Sequence, residues 1–237
     1  MSSTQQGEIK ITVPAKYIAS LKLFAAYSGR RNYLKGINLE IGRHESRLVA
    51  TNGVILGCFR VICEQPDVTE PLRDIIIPNE LVMPIRSYGH VEITIGPIDT
   101  NQNDDGDAAT VSRARPITLA YGWRKMKGKT LDGEFPDYRR VIPSKVSGDP
   151  AQFNPYDVGT LSKAYIALHG AIKQPLFCIG FNGTNAALID LDDPNFIGLI
   201  SPIKPVSLTM PSTPPEWVAD RLSVDIDSAP NHERKSA

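Results

Sequence analysis

Gly133-Glu-Phe-Pro-Asp-Tyr-Arg-Arg-Val-Ile-Pro143 is the stretch on which the reading of this chain turns. Phe135, Pro136 and Tyr138 are bulky or stiff, and they stand directly against the paired cations Arg139 and Arg140. Pro136 and Pro143 fix φ near both ends of the run, so it reads as a rigid connector.

Upstream of this connector the apolar pattern repeats. Residues 9–13 alternate as a strand, Pro14 suits the first turn of a helix, and Tyr17, Ile18, Leu21, Phe24 and Ala25 recur at helical spacing over residues 15–27, with Gly29 closing the helix. Strands are predicted over 36–41, 47–54 and 55–63. A second unit starts with a strand over 74–77. Pro78 then opens a helix through Leu81, Val82 and Ile85, which Pro84 must shorten or kink, and strands follow over 90–95, 109–115, 117–123 and 129–135. The polar run over 101–109 reads as a solvated loop that misses the spacing of a calcium-binding loop.

Beyond the connector a third unit is predicted. A short strand ends at Gln152 and Phe153, an amphipathic helix covers 156–169, and strands over 176–181 and 184–190 flank the turn Asn182-Gly183. A last strand spans 196–201. The fold class expected is α+β, built from about three strand-helix-strands units that need partner units to cover their apolar sheet faces. The domain boundaries expected are a flexible N-terminus over 1–8, a domain over 9–145, a half domain over 146–205 and a mostly disordered tail over 206–237, apart from the apolar cluster at Trp217, Val218 and Leu222.

The 237 residues carry 26 Lys plus Arg and 26 Asp plus Glu, so net charge offers no argument for a nucleic-acid partner. Three cysteines without metal or disulfide spacing, no apolar leader and no span of membrane length predict a cytoplasmic protein with no membrane association. His44, His90, His169 and His232 lie apart, and Asp190, Asp192 and Asp193 read as a turn before Pro194. No nucleophile elbow or phosphate loop is present, so no catalytic residue, metal or cofactor is expected.

The Phe-Pro-Asp-Tyr-Arg-Arg run resembles the signature closing the middle domain of the bacterial DNA polymerase III beta subunit, the sliding-clamp family. Arg31-Asn-Tyr-Leu-Lys-Gly-Ile-Asn-Leu-Glu40 and Leu48-Val-Ala-Thr-Asn-Gly53 are similar to stretches of the same domain, and Phe153-Asn154 and Ile200-Ser-Pro-Ile-Lys204 to the second half of the family's last domain. The resemblance implies a DNA-clamp fold with one complete clamp domain plus a half domain. The family's first domain and the first half of its last have no matched counterpart, and Val54 and Ile55 replace the family's charged pair after Asn52-Gly53.

By position, the resemblance implies a cleft that takes peptides of a DNA polymerase or clamp loader. Leu34, Thr51, Gly53, Val54 and Leu56 would form it with Pro136, Arg140 and Val141, and Leu199, Ser201, Pro202 and Ile203 would line its other side. Duplex DNA would meet Lys16, Lys22, Arg30, Arg31 and Tyr33, together with Arg86, Lys163 and Lys173. The denser run Arg124-Lys-Met-Lys-Gly-Lys129 reads either as a solvated hairpin or as a phosphate contact. A homo-oligomer, ring or arc, is expected: four chains of three units match the twelve half-units of the bacterial ring, and two make an arc. The third unit packing on the first two within a monomer stays open. The function implied is a processivity factor, with a clamp-fold adaptor that does not encircle DNA as the alternative. An enzyme using a metal at Asp104 to Asp107 is a remote third.

Overall fold

A computed structural model of the chain describes residues 8–62, 68, 71–98, 114–171 and 174–203. The acidic loop, residues 109–113 of the strand expected over 109–115, Cys63, Lys173 and the tail with Trp217 and Val218 lie outside these residues.

Strand β1 (Ile9–Pro14) alternates buried and exposed side chains as its sequence dictates, and Pro14 hands the chain to helix α1 (Ala15–Leu21). The helix is half as long as its spacing predicts. After Leu21 the backbone tightens into i→i−3 bonds, Leu23 N–H to Ser20 C=O and Phe24 N–H to Leu21 C=O, which turns Phe24 into the core. The apolar positions at 21, 24 and 25 are thus buried by a turn rather than by further helix. Strands β2 (Gly36–Ile41), β3 (Ser46–Thr51) and β4 (Ile55–Val61) form a meander, followed by β5 (Leu72–Pro78) and the single-turn α2 (Asn79–Val82). Pro84 ends that helix early, as expected. Then come β6 (His90–Ile95), β7 (Pro116–Tyr121) and β8 (Arg124–Lys129).

Two expectations in this half are corrected. The closing strand is the cationic run Arg124–Lys129, not residues 129–135, because Gly122 at φ +58° makes a tight turn and returns the chain along β7. Leu131 then makes only an isolated bridge to Ile76. In addition, the strands of each unit do not stay together. β1 joins β6, β7 and β8 in one sheet, whereas β5 joins β2, β3 and β4 in the other, so the two units exchange their first strands.

The third unit begins with helix α3 (Pro155–His169), where the Asn154 side chain accepts from Tyr156 N–H, Pro155 fits the first turn, and Gly170 at φ +91° ends the helix. No strand precedes it at Gln152 and Phe153. The tight hairpin expected at Asn182-Gly183 is looser, between a short β9 (Cys178–Gly180) and β10 (Ala187–Asp190). Asn182 is drawn away from a two-residue turn: its side chain accepts from Ser147 N–H and donates to Ala186 C=O.

Strand β11 (Phe196–Ile200) pairs antiparallel with β4 from Phe196↔Phe59 to Ile200↔Ile55. The second sheet therefore runs through seven strands, β5-β2-β3-β4-β11-β10-β9. Tyr17 stacks on Phe59 with centroids 4.2 Å apart, and Phe196 meets Phe59 at 4.9 Å and Phe24 at 6.1 Å, so an aromatic column ties α1, β4 and β11. Helix α3 packs beside α1, and Gly57 leaves room for Leu21 and Phe24 against β4. The third unit is thus covered within the chain, one of the arrangements the sequence left open. Residues 8–203 fall within one compact unit.

Candidate functional site

The long sheet has apolar side chains on both faces. One face holds the main core beneath α1. The other carries Leu34, Val49, Leu56, Cys58, Ile76 and Leu199, closed over by Phe135 and Tyr138. The connector read from the sequence is therefore a lid on this second cluster. Phe135 N–H donates to the Asp74 carboxylate at 2.9 Å, and the Tyr138 hydroxyl donates to Glu40 at 3.1 Å. Arg139 forks onto the same Glu40 carboxylate while its guanidinium lies 4.7 Å from the Tyr138 ring centroid. Burial, followed by the neighbouring Cys58 and Glu40, holds the Tyr138 phenol above its ordinary range. Burial likewise pushes the Cys58 thiol up to about 11.

The residues assigned to the cleft separate into a floor and a rim. Leu34, Leu56 and Leu199 are buried, and Leu56 and Leu199 are direct cross-strand partners over the β4–β11 seam. Thr51 is also buried. Its hydroxyl donates to Ile55 C=O and accepts from Gly53 N–H, and Asn52 Oδ1 accepts from the amides of Val54 and Ile55. Gly53 at φ +94° completes the turn. Ser201 N–H then donates to Val54 C=O at 2.9 Å, joining the two sides assigned from separate parts of the sequence. The apolar surface left open is Val54, Val141 and Ile203, each 42–55% exposed, with Pro202 half-buried and Pro136, Arg140 and Ser201 exposed.

The DNA-facing assignments fare unevenly. Lys22 is corrected: it is buried, and its ammonium donates to Met83 C=O at 3.0 Å and Ile85 C=O at 2.7 Å. Burial, and then Arg86, lowers its pKa. Lys16 pairs with Asp193 at 3.3 Å. Helix α1 is covered almost all round by sheet and by α3, so it presents no cationic face. Arg30, Arg31, Arg86 and Lys163 are exposed, and Tyr33 is half-buried against the second cluster. Among the described residues no group of three or more His, Cys, Asp or Glu could hold a metal, and no helix is long and apolar enough to cross a membrane.

The sequence reading missed a cleft of about 550 Å³ beside the end of the four-stranded sheet, where Arg86 meets Tyr88, His90, Tyr121, Trp123 and Arg124. The legible signal was the doublet Trp123-Arg124 straight after Gly122, an aromatic placed at a turn where no core can use it.

No protein-family model matches the chain. It is 26% identical over 152 residues to the beta sliding clamp of Salmonella typhimurium, an alignment that covers 58% of this chain and 35% of the relative. The beta sliding clamp of Pseudomonas aeruginosa is 28% identical over 113 residues, 48% of this chain and 27% of the relative. The chain thus spans about a third of the length of these curated relatives. Among solved structures, a DNA polymerase sliding clamp from Pseudomonas aeruginosa superposes with a TM-score of 0.55 at 16% identity, over 86% of this chain and 69% of that one. A putative DNA polymerase III beta subunit from Eubacterium rectale gives 0.57 at 12% identity, over 86% and 67%. The fold is that of the sliding clamps, and the chain is a divergent, shorter relative of them.

Proposed function

We propose that this clamp relative is a processivity factor of DNA replication: it holds duplex DNA without reading sequence and tethers a polymerase or loader through a short peptide. The observation that carries the reading is the Ser201–Val54 bond across the β4–β11 seam. Through it, two segments nearly 150 residues apart meet as one rim over an apolar floor, beside the connector that supplies Val141 and Arg140. An extended peptide with leucine and aromatic anchors suits such a rim, and Arg140 suits an acidic residue within it. Neither a cofactor nor a catalytic residue is needed. Fluorescence anisotropy with a labelled peptide of that kind tests the rim: Pro202→Arg abolishes binding and leaves the melting temperature unchanged. Equal binding by both proteins overturns the assignment.

Assembly follows from the open end of the seven-stranded sheet. β9 carries no charge, and Leu176 and Phe181 beside it are 70% and 42% exposed. Residues 147–149 cap the Phe181 end through the bond from Gly148 N–H to Phe181 C=O, and among the described residues nothing pairs with the Leu176 end, where a second copy would add its strand.

The buried α1 and the inward Lys22 favour a second reading, a clamp-fold adaptor that does not encircle DNA. Salt-washed retention on nicked circular duplex, compared with the same duplex linearised, separates the two. Retention on the circle alone supports the clamp, and negligible retention on both supports the adaptor.

A further inference from the structure

We propose that the Tyr88–Trp123 cleft and strand β8 together form a binding site for a single nucleic-acid strand, separate from any duplex path. Three strand ends build it. β6 begins, β7 ends and β8 begins at one end of the same sheet, with Val91 paired to Tyr121 and Tyr121 to Arg124. The glycine turns at Gly89 (φ +77°) and Gly122 (φ +58°) therefore bring Tyr88 and Trp123 to neighbouring loop tips. Both rings are held in the open, 73% and 88% exposed, as a pair of aromatics at one end of one sheet.

Their surroundings suit a base and its phosphate. The Arg124 guanidinium sits 5.0 Å from the Trp123 ring centroid and covers one face of the indole, so one face stays free for stacking. Tyr88 leans on Tyr121 at 5.8 Å. Tyr121 is more than nine-tenths buried at the base of the cleft, and burial, together with the neighbouring Tyr88 hydroxyl, holds its phenol above the ordinary range. Arg86 and Arg124 supply the charge, and among the described residues no carboxylate lines the cleft.

A cationic track starts two residues past Trp123, on the sheet face opposite Tyr121 and Arg124. Strand alternation puts Lys125, Lys127 and Lys129 on one face of β8, about 7 Å apart. Their cross-strand partners are Ala120, Thr118 and Pro116, so no acid stands directly opposite them on β7, and Glu92 of β6 lies one strand further on, in line with Lys125. Among the described residues these lysines make no ion pair. Stacking rings at the head of a row of unpaired cations are the two elements of sequence-tolerant single-strand binding. A duplex fits less well, because its bases are already stacked and cannot use Tyr88 or Trp123.

The test uses the full chain carrying Trp217→Phe, which leaves Trp123 as the only tryptophan. Titration with an oligothymidylate of about twelve nucleotides, within the span of known single-strand sites, is expected to quench its fluorescence. Trp123→Ala in the otherwise native chain weakens binding about 5- to 150-fold, the range of one lost stacking contact. Replacing Lys125, Lys127 and Lys129 by Gln lowers the slope of log affinity against log salt by about 2. Retention on nicked circular duplex stays unchanged in Trp123→Ala, which keeps this result apart from the clamp reading. Absence of quenching and binding at low salt overturns the proposal. So does wild-type affinity in Trp123→Ala, or equal binding of a matched duplex or a polyglutamate, since either would mark a merely cationic patch.

Discussion

Among the described residues, strands β8 and β9 each end a sheet, yet they carry opposite side chains. β8 is Arg124, Lys125, Met126, Lys127, Gly128 and Lys129, whereas β9 is Cys178, Ile179 and Gly180 beside exposed Leu176. A lysine row on an edge strand opposes pairing with a like edge, because two such rows would meet charge to charge without solvent between them. An uncharged edge flanked by leucine invites pairing. One fold thus contains a guarded edge and an uncharged one, and on that contrast rest the proposals of a polyanion at the first and a second copy of the chain at the second.

Converting β8 into an edge like β9 is the harshest way to break this comparison. With Lys125, Lys127 and Lys129 all changed to Thr, strand propensity rises and the guard is lost. The expected outcome is concentration-dependent aggregation in dynamic light scattering, where the native chain stays monodisperse.

A paired edge sets the scale for what an open one lacks. Leu199 lies 3% exposed on the β4–β11 seam, and Leu199→Ala is expected to lower unfolding stability in urea by about 2–5 kcal/mol. Cys58, on β4 beneath Tyr138, gives a pH-dependent measure of the same paired region. Its ordinary value of 9.0 rises to about 11 in the fold. The unfolded chain therefore loses the proton first. The Cys58 contribution to stability is complete below pH 9, falls as pH rises and levels off above about 11, by about 2–3 kcal/mol in all. Cys58→Ala should flatten that fall in urea titrations between pH 8 and 11. The smallest effect belongs to Lys16. Its pair with Asp193 is partly solvent-screened, and Lys16→Ala should cost less than about 1 kcal/mol.

Much of this fold was legible because periodicity and the connector are local signals. The strands at Gly36–Ile41 and His90–Ile95 have the bounds their patterns predict, and α3 differs by one residue at its start. What escaped depends on distant partners. Helix α1 stops at Leu21 because Phe24 finds Phe196, a residue more than 170 positions away. Lys22 looks like a surface cation in a sequence, and only the fold brings the Met83 and Ile85 carbonyls to it. The cationic run at 124–129 reads as solvated because charge conceals strand character; its pairing with β7 is fixed by the Gly122 turn. In the candidate cleft, residue assignment anticipated which segments meet, but not that Leu34, Leu56 and Leu199 would already lie under Phe135 and Tyr138.

The absolute mass of the chain in solution, by light scattering across a concentration series, tests the central claim of edge-directed assembly most directly. The native 26.0 kDa chain is expected to run as a multiple of its own mass, and the double variant Leu176→Glu with Cys178→Lys, which gives β9 the guard that β8 has, as a monomer. A native chain that stays at 26.0 kDa at every concentration would contradict assembly through β9 and leave the non-encircling adaptor as the reading of this clamp fold.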